Sequence, residues 1–445
     1  MKITRLMHKP VVLFLLISFL VGGCMPKTPI PKSTDNPGNV LVSSKLVRIA
    51  NPQITQSDQE QLSAGNRAFA ADLYQQLRSA PGNLFFSPYS ISLALAMTYA
   101  GAQGATAQQM AQALHFTLPP EQLHPAFNAL DQYLAALGQS SESTEPTPTD
   151  NNGQGFQLNI ANSIWGQKDF NFLAAYLDLL AQNYGVGLRL VDFVSAPETT
   201  RKVINDWVSQ QTKDKIKDLF PEGSLDSDTR LALVNAIYFK GSWLSEFKQA
   251  NTQEGIFHLL DGGQVTISMM HSGAAAQRYV RAEDYQAVEL PYSGYQTAMV
   301  VVMPDEGKFE AFEKRLSSEL LEDILSGLGY FDITLTMPKF KIESSFDLSD
   351  TLAKMGMPVA FDRDQADFSG MDGQRDLFIS NVQHKAYVMV DEKGAEAAAG
   401  TGVAIKPVSI MEQRVVVVDR PFLFFIYDRT SGTVLFIGRI LNPAQ

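Results

Sequence analysis

The chain is poor in the residues that build thiol, redox and metal chemistry. It has one cysteine, Cys24, and six histidines among 445 residues. A lone cysteine closes no internal disulfide, and so few thiols and imidazoles leave little material for a transition-metal centre. No cofactor and no metal is expected. Positive charge is also short: Lys and Arg total 36 against 47 Asp and Glu, a formal net charge of −11. That balance argues against nucleic acid and against heparin-like polyanions as partners. Catalytic signatures are missing as well. The chain has no G-x-S-x-G elbow, no H-E-x-x-H pair and no G-x-x-x-x-G-K phosphate loop, and Gly400-Thr-Gly402 lacks the third glycine of a dinucleotide loop. An enzyme is not expected.

The N-terminus reads as an address. Lys2, Arg5 and Lys9 precede an apolar run from Val11 to Val21. That run is shorter than the roughly 20 residues a membrane-spanning helix needs. It ends in Val21-Gly22-Gly23-Cys24, which is similar to a bacterial lipoprotein cleavage site. Residues 1–23 are then a signal peptide, and Cys24 is lipidated and becomes the new N-terminus. Met25 rather than Asp follows it, which favours the outer membrane of a Gram-negative cell envelope. The leader holds three basic residues and no acidic one, so its loss leaves the protein more acidic still. Residues 24–57, with Pro26, Pro29, Pro31 and Pro37, read as an extended linker from the lipid anchor to the folded domain.

From residue 58 onward the patterns are those of a large globular domain. No repeat of 20 to 50 residues is evident. Ser57 to Ala80 has helical spacing, with Leu62, Phe69, Leu73 and Leu77 on one face. Ser87 to Ala100 reads as a helix with Ser87 as N-cap and Pro88 in its first turn. Thr200 to Thr212 is a further helix. Leu158–Trp165, Leu231–Phe239, Ala298–Met303 and Ile333–Met337 read as strands. So do Val415–Val418, Leu423–Tyr427 and Thr433–Ile437, the last two joined by the turn Asp428-Arg-Thr-Ser-Gly432. Residues 140–155 are polar and read as a flexible surface insertion. Helices and strands mix without regular alternation, so the fold class is α+β.

The segment Asp391 to Ile405 is the most informative. From Ala395 to Gly402 every residue but Glu396 is small. With period 2, Ala395, Ala397, Ala399, Thr401, Val403 and Ile405 share one face; Glu396, Ala398, Gly400, Gly402, Ala404 and Lys406 share the other. One face suits a crowded interior and the other suits water. This is a latent strand, able to sit as a loop or slide into a sheet.

This segment resembles the reactive-loop hinge of inhibitory serpins, and other motifs follow in family order. Asn83-Leu-Phe-Phe-Ser-Pro-Tyr-Ser-Ile91 resembles the serpin strand-to-helix entry, with Gly101 and Thr106 continuing it. Leu233-Val-Asn-Ala-Ile-Tyr-Phe-Lys-Gly-Ser-Trp243 resembles the central strand and the breach above it. Asn381-Val-Gln-His-Lys-Ala386 is similar to the strand that leads to the loop. Asp419-Arg-Pro-Phe-Leu-Phe-Phe-Ile-Tyr427, Phe436-Ile-Gly-Arg439 and Asn442-Pro443 are similar to the C-terminal signature. The resemblance spans residues 58–445 and implies a serpin-like single domain with three β-sheets, surrounding helices and an exposed loop. Hinge and loop together would occupy residues 391–414.

The resemblance implies a suicide substrate that traps a serine protease as a covalent acyl-enzyme when the loop inserts into the central sheet. The hinge would comprise Glu392, Gly394, Ala395, Ala397, Ala398, Ala399 and Thr401. Ser87, Ser90, Asn235 and His384 would form a polar cluster where the sheet opens. Trp243 would cover the breach, and Lys339 would pair with Glu392. Family spacing places the reactive bond at Val408–Ser409, with Ile410–Met411 the alternative; Val408 suits elastase-like proteases. The helix that takes polyanions in some serpins matches Glu121 to Leu137, which carries no Lys or Arg. A monomer is expected. The rival readings are a non-inhibitory serpin serving as a binding module and an inhibitor of papain-like cysteine proteases.

Overall fold

The computed structural model describes residues 39–139, 157–395 and 412–445. Cys24, the 140–155 insertion, Ala397, Ala398, Ala399, Thr401, Val408, Ser409, Ile410 and Met411 lie outside the described residues. In chain order the strands are β1 (Val40–Val42), β2 (Leu84–Phe86), β3 (Gln157–Gln167), β4 (Leu188–Val191), β5 (Leu231–Ser242), β6 (Gln253–His258), β7 (Gln264–His271) and β8 (Ala275–Arg281). There follow β9 (Tyr285–Pro291), β10 (Thr297–Pro304), β11 (Gly329–Pro338), β12 (Phe340–Asp347), β13 (Ile379–Asp391), β14 (Gly394–Ala395), β15 (Gln413–Val417), β16 (Phe422–Asp428) and β17 (Val434–Ile440). The first helices are α1 (Gln56–Leu77), α2 (Pro88–Tyr99), α3 (Gly104–Ala113), α4 (Pro120–Gln139), α5 (Ala174–Tyr184) and α6 (Pro197–Gln211).

Local chemistry explains where the helices begin. Thr55 caps α1 in a reciprocal box: its hydroxyl takes the Asp58 amide at 3.1 Å, and the Asp58 carboxylate takes the Thr55 amide at 2.8 Å. Ser87 caps α2 by accepting from the Ser90 amide at 3.1 Å, and Pro88 fills the first turn, where no amide is needed.

The central sheet is seven-stranded in the order β1-β4-β3-β5-β14-β13-β12. Among the described residues a ten-stranded sheet holds the rest: one end of β11 pairs with β8 and the other with β7, so the second and third of the three expected sheets are one continuous hydrogen-bonded sheet. Strand β5 is buried along almost its whole length because both faces are covered. Leu231, Leu233, Ile237 and Phe239 belong to the main core. Ala232, Val234 and Ala236 belong to a second core with Ile204 and Val208 of α6. Arg189 of β4 lies 5.4 Å from the Trp165 ring and 4.8 Å from that of Trp207, tying α6 to the sheet.

One expectation is corrected. The linker read over residues 24–57 is not free along its described part. From Val40 it is an edge strand, pairing Val40–Val42 antiparallel with Leu188–Leu190 of β4, so the folded body begins well before residue 58.

Candidate functional site

The site lies along the seam between β5 and β13. These strands pair in parallel from Leu231/Ile379 up to Tyr238/Tyr387. Above that point the seam parts, and β14 lies between them. Ala395 pairs with Val390 of β13 and Gly241 of β5; Gly394 pairs with Asp391 and Ser242. Gly394 and Ala395, expected hinge residues, are thus already in the sheet, and Ala395 is fully buried. Only glycine fits at Gly394: φ is 144°, and a Cβ would lie 2.0 Å from the Gly241 carbonyl oxygen.

Trp243 and Glu392 hold the turn before β14. The Trp243 indole stacks on Tyr292 with centroids 4.7 Å apart and donates Nε1–H to the Asp391 carbonyl at 3.0 Å. Its amide donates to the Lys393 carbonyl at 2.8 Å. The Glu392 carboxylate pairs with Lys339 at 2.9 Å and accepts from the Thr252 hydroxyl at 2.7 Å. Burial alone would raise its pKa; hydrogen bonds from Lys339 and Thr252 outweigh burial and hold it below the ordinary carboxylate value.

Lower on the seam the structure brings Ser87, Ser90, Asn235 and His384 into one network. His384 stands opposite Asn235 across the β5–β13 seam and bonds its side-chain oxygen through Nδ1. The Ser87 amide donates to His384 Nε2 at 3.2 Å, so the ring proton sits on Nδ1. The imidazole is fully buried, and that burial pulls its pKa down to about 3. Asn235 Nδ2 donates to the Ser90 hydroxyl at 2.7 Å and to Asn162 Oδ1 at 2.6 Å. The Ser87 hydroxyl donates to the Leu435 carbonyl at 2.6 Å. Sequence reasoning missed Asn162, which extends the network onto β3. It lies between Ile160 and Ile164 on one face of a strand pattern, and that is the one signal that could have pointed to it. Among the described residues, no group of three or more His, Cys, Asp or Glu is placed to hold a metal.

A neutral hydrogen-bonded cluster bridges two parallel central strands, and β14 parts those strands at one end. That defines a sheet that already holds a short added strand at its upper end. The chain belongs to the serpin family: the family model, serine protease inhibitor, matches residues 64–443. It is 35% identical over 443 residues to a serpin-like protein of Thermococcus kodakarensis, covering 98% of this chain and 99% of that one. It is 37% identical over 394 residues to human leukocyte elastase inhibitor, covering 86% of this chain and all of that one. Among solved structures, human thyroxine-binding globulin superposes with a TM-score of 0.74 at 30% identity, covering 87% of this chain and 99% of that one.

Proposed function

We propose that this chain inhibits serine proteases as a suicide substrate. The observation that carries the reading is the hinge strand β14, seated between β5 and β13 above a seam that is closed below it. The loop is the bait. Cleavage would leave an acyl-enzyme and free the hinge, and insertion would extend β14 down the seam. Residues 394–408 at about 3.3 Å each would carry the protease roughly 50 Å. The new strand pairs backbone groups and buries small side chains, which drives the transition. The nucleophile belongs to the protease; this chain supplies bait and spring, acts as a monomer and takes no cofactor.

Val408–Ser409 is the proposed reactive bond. A medium aliphatic residue suits an elastase-like pocket, and similarity to leukocyte elastase inhibitor supports that target class. Similarity to thyroxine-binding globulin keeps a binding-module reading in view, because the two share the fold. The early seating of the hinge favours the inhibitor. We also place the protein on a bacterial cell envelope through lipid on Cys24. Among the described residues, no helix is long and apolar enough to cross a membrane.

The test is incubation with elastase-like, trypsin-like and papain-like proteases, read on denaturing gels and by mass spectrometry. An elastase-like enzyme should give a complex stable in denaturant and a C-terminal peptide beginning at Ser409. A peptide beginning at Met411 moves the bond to Ile410–Met411. Val408→Arg should turn the inhibitor toward trypsin-like enzymes. Complex formation only with papain-like enzymes would assign the cross-class target. Cleavage without any complex, and without gain of thermal stability, would leave the binding module.

A further inference from the structure

The strand β1 and the residues after it form a strap over one flank of the central sheet. They precede residue 64, where the family match begins. The strap is fixed at three places. Val40–Val42 pair with β4 at the sheet edge. Ser44 donates its hydroxyl to Asp178 of α5. Arg48 then reaches α4, donating Nε–H to Asn128 Oδ1 at 2.7 Å and Nη2–H to Asp131 Oδ2 at 2.7 Å. The Ile49 amide donates to the Gln182 carbonyl of α5 at 2.9 Å, and its carbonyl accepts from Asn128 and Gln132 at 2.9 Å each.

The body is shaped to receive the strap. A Cβ on Gly187 would lie 2.5 Å from the Val42 carbonyl oxygen, and one on Gly185 would lie 2.9 Å from Arg48 Cδ. Asn128 is fully buried and spends both ends of its amide on the strap. Yet most apolar side chains of the strap face water: Val40 is 61% and Val47 82% exposed, while Val42 is partly buried against the main core. Hydrogen bonds and one ion pair, with little apolar burial, hold it, so it can be released without unfolding the domain.

Its position gives the strap a task. Opening the seam means that β1, β4, β3 and β5 move away from β13 as one half-sheet. The strap pins the outer edge of that half, with α5, to α4. Helix α4 packs against α1, which also contacts β17 of the second sheet. We infer that residues 39–51 are a brake on sheet opening, and that releasing the strap lets the seam part more readily. The inference rests on the proposed insertion of the loop at this seam.

Two full-length variants test it. Arg48→Ala removes the contacts to Asn128 and Asp131. Gly187→Leu displaces β1 from the edge without touching α4. Arg281→Ala, which breaks a surface pair with Asp305, is the control. Amide hydrogen exchange is followed at Val40–Val42 and at Gln383–Tyr387 on the seam. Seam amides should exchange roughly tenfold faster in both variants, equivalent to about 1.4 kcal/mol, and at the wild-type rate in the control. If the strap amides lose protection in Gly187→Leu while the seam keeps its wild-type rate, the strap is not a brake. A wild-type protein that traps no protease, but whose seam still answers to both variants, would overturn the inhibitor reading and keep the brake. A competent inhibitor with an unresponsive seam would overturn the brake alone.

Discussion

Acid should weaken the seam between β5 and β13 through His384. The ring is fully buried, and burial pulls its pKa from the ordinary 6.5 down to about 3. Between those values the unfolded chain binds a proton that the native site refuses. The stabilising effect is therefore complete above about pH 6.5 and lost progressively as pH falls toward 3. At pH 5 the gap is 1.5 units from the unfolded value, or about 2 kcal/mol. His124 on α4, hydrogen-bonded to Tyr184 at 2.6 Å, is also buried with a pKa near 4, and adds about 2 kcal/mol by the same route. Glu392 does not interfere: its folded pKa lies below 4.5, so its stabilisation is lost only at lower pH.

Urea unfolding followed by tryptophan fluorescence at pH 7 and pH 5 reads this directly. The two buried histidines should together lower stability by about 4 kcal/mol on acidification. His384→Gln keeps a polar side chain at the seam and removes the titration, so it should shrink the drop by about 2 kcal/mol. His124→Gln should remove the other half. If His384→Gln shows the full wild-type drop, His384 is not held neutral by its burial, and its assignment as donor to Asn235 and acceptor from Ser87 fails with it.

Two further changes probe the hinge and the anchor. Ala395→Arg puts a long cation at a fully buried position between Val390 and Gly241. An unpaired buried charge costs roughly 3–5 kcal/mol, so β14 should leave the sheet and the variant should be cleaved as a substrate, with no complex on denaturing gels; inhibition equal to wild type would refute the insertion reading. Cys24→Ser should release the protein from the envelope fraction without harming inhibition, checked by fractionation and mass spectrometry. An unmodified Cys24 in the mature native protein would remove the anchor.

Local signals made much of this molecule legible. The Ser87-Pro88 cap and the apolar runs of β5, β10 and β16 depend on near neighbours, and the elements form where those neighbours place them; of the small-residue alternation only Ala395 lies among the described residues. The seam cluster was legible for a different reason. Asn235 is a polar residue between Val234 and Ala236, but nothing within its own strand says that His384 faces it; only the family pattern joined the two. Asn162 escaped because its partners, Ser90 and Asn235, lie on other elements. The strap escaped most completely. Val40-Leu-Val42 is too short to announce a strand, and prolines just before it imitate a linker. What makes it a strand is the free edge of β4, with Gly187 leaving room for the Val42 carbonyl.

For the proposed insertion, the order in which the seam opens follows from the register. Pairing between β5 and β13 ends at Tyr238/Tyr387, whose rings lie 6.0 Å apart just below the seated hinge. An advancing β14 therefore meets this pair first. Each step trades one β5–β13 pairing for new pairings on both sides of the entering strand, so backbone bonding favours advance as soon as the strands can separate. Three residues further down stands His384/Asn235, where a side-chain bond must break along with the backbone pairing. The bond that breaks is at Asn235 Oδ1, while Asn235 Nδ2 already donates to the Ser90 hydroxyl and to Asn162 Oδ1. The network can thus release His384 while Asn235 keeps its bonds to β3 and α2. The cluster resists opening from the inside of the half-sheet, and Arg48 resists it from the outside edge. Loss of either contact should act on the same separation of β5 from β13, so an acid shift at His384 and release of the strap should accelerate seam exchange together rather than independently.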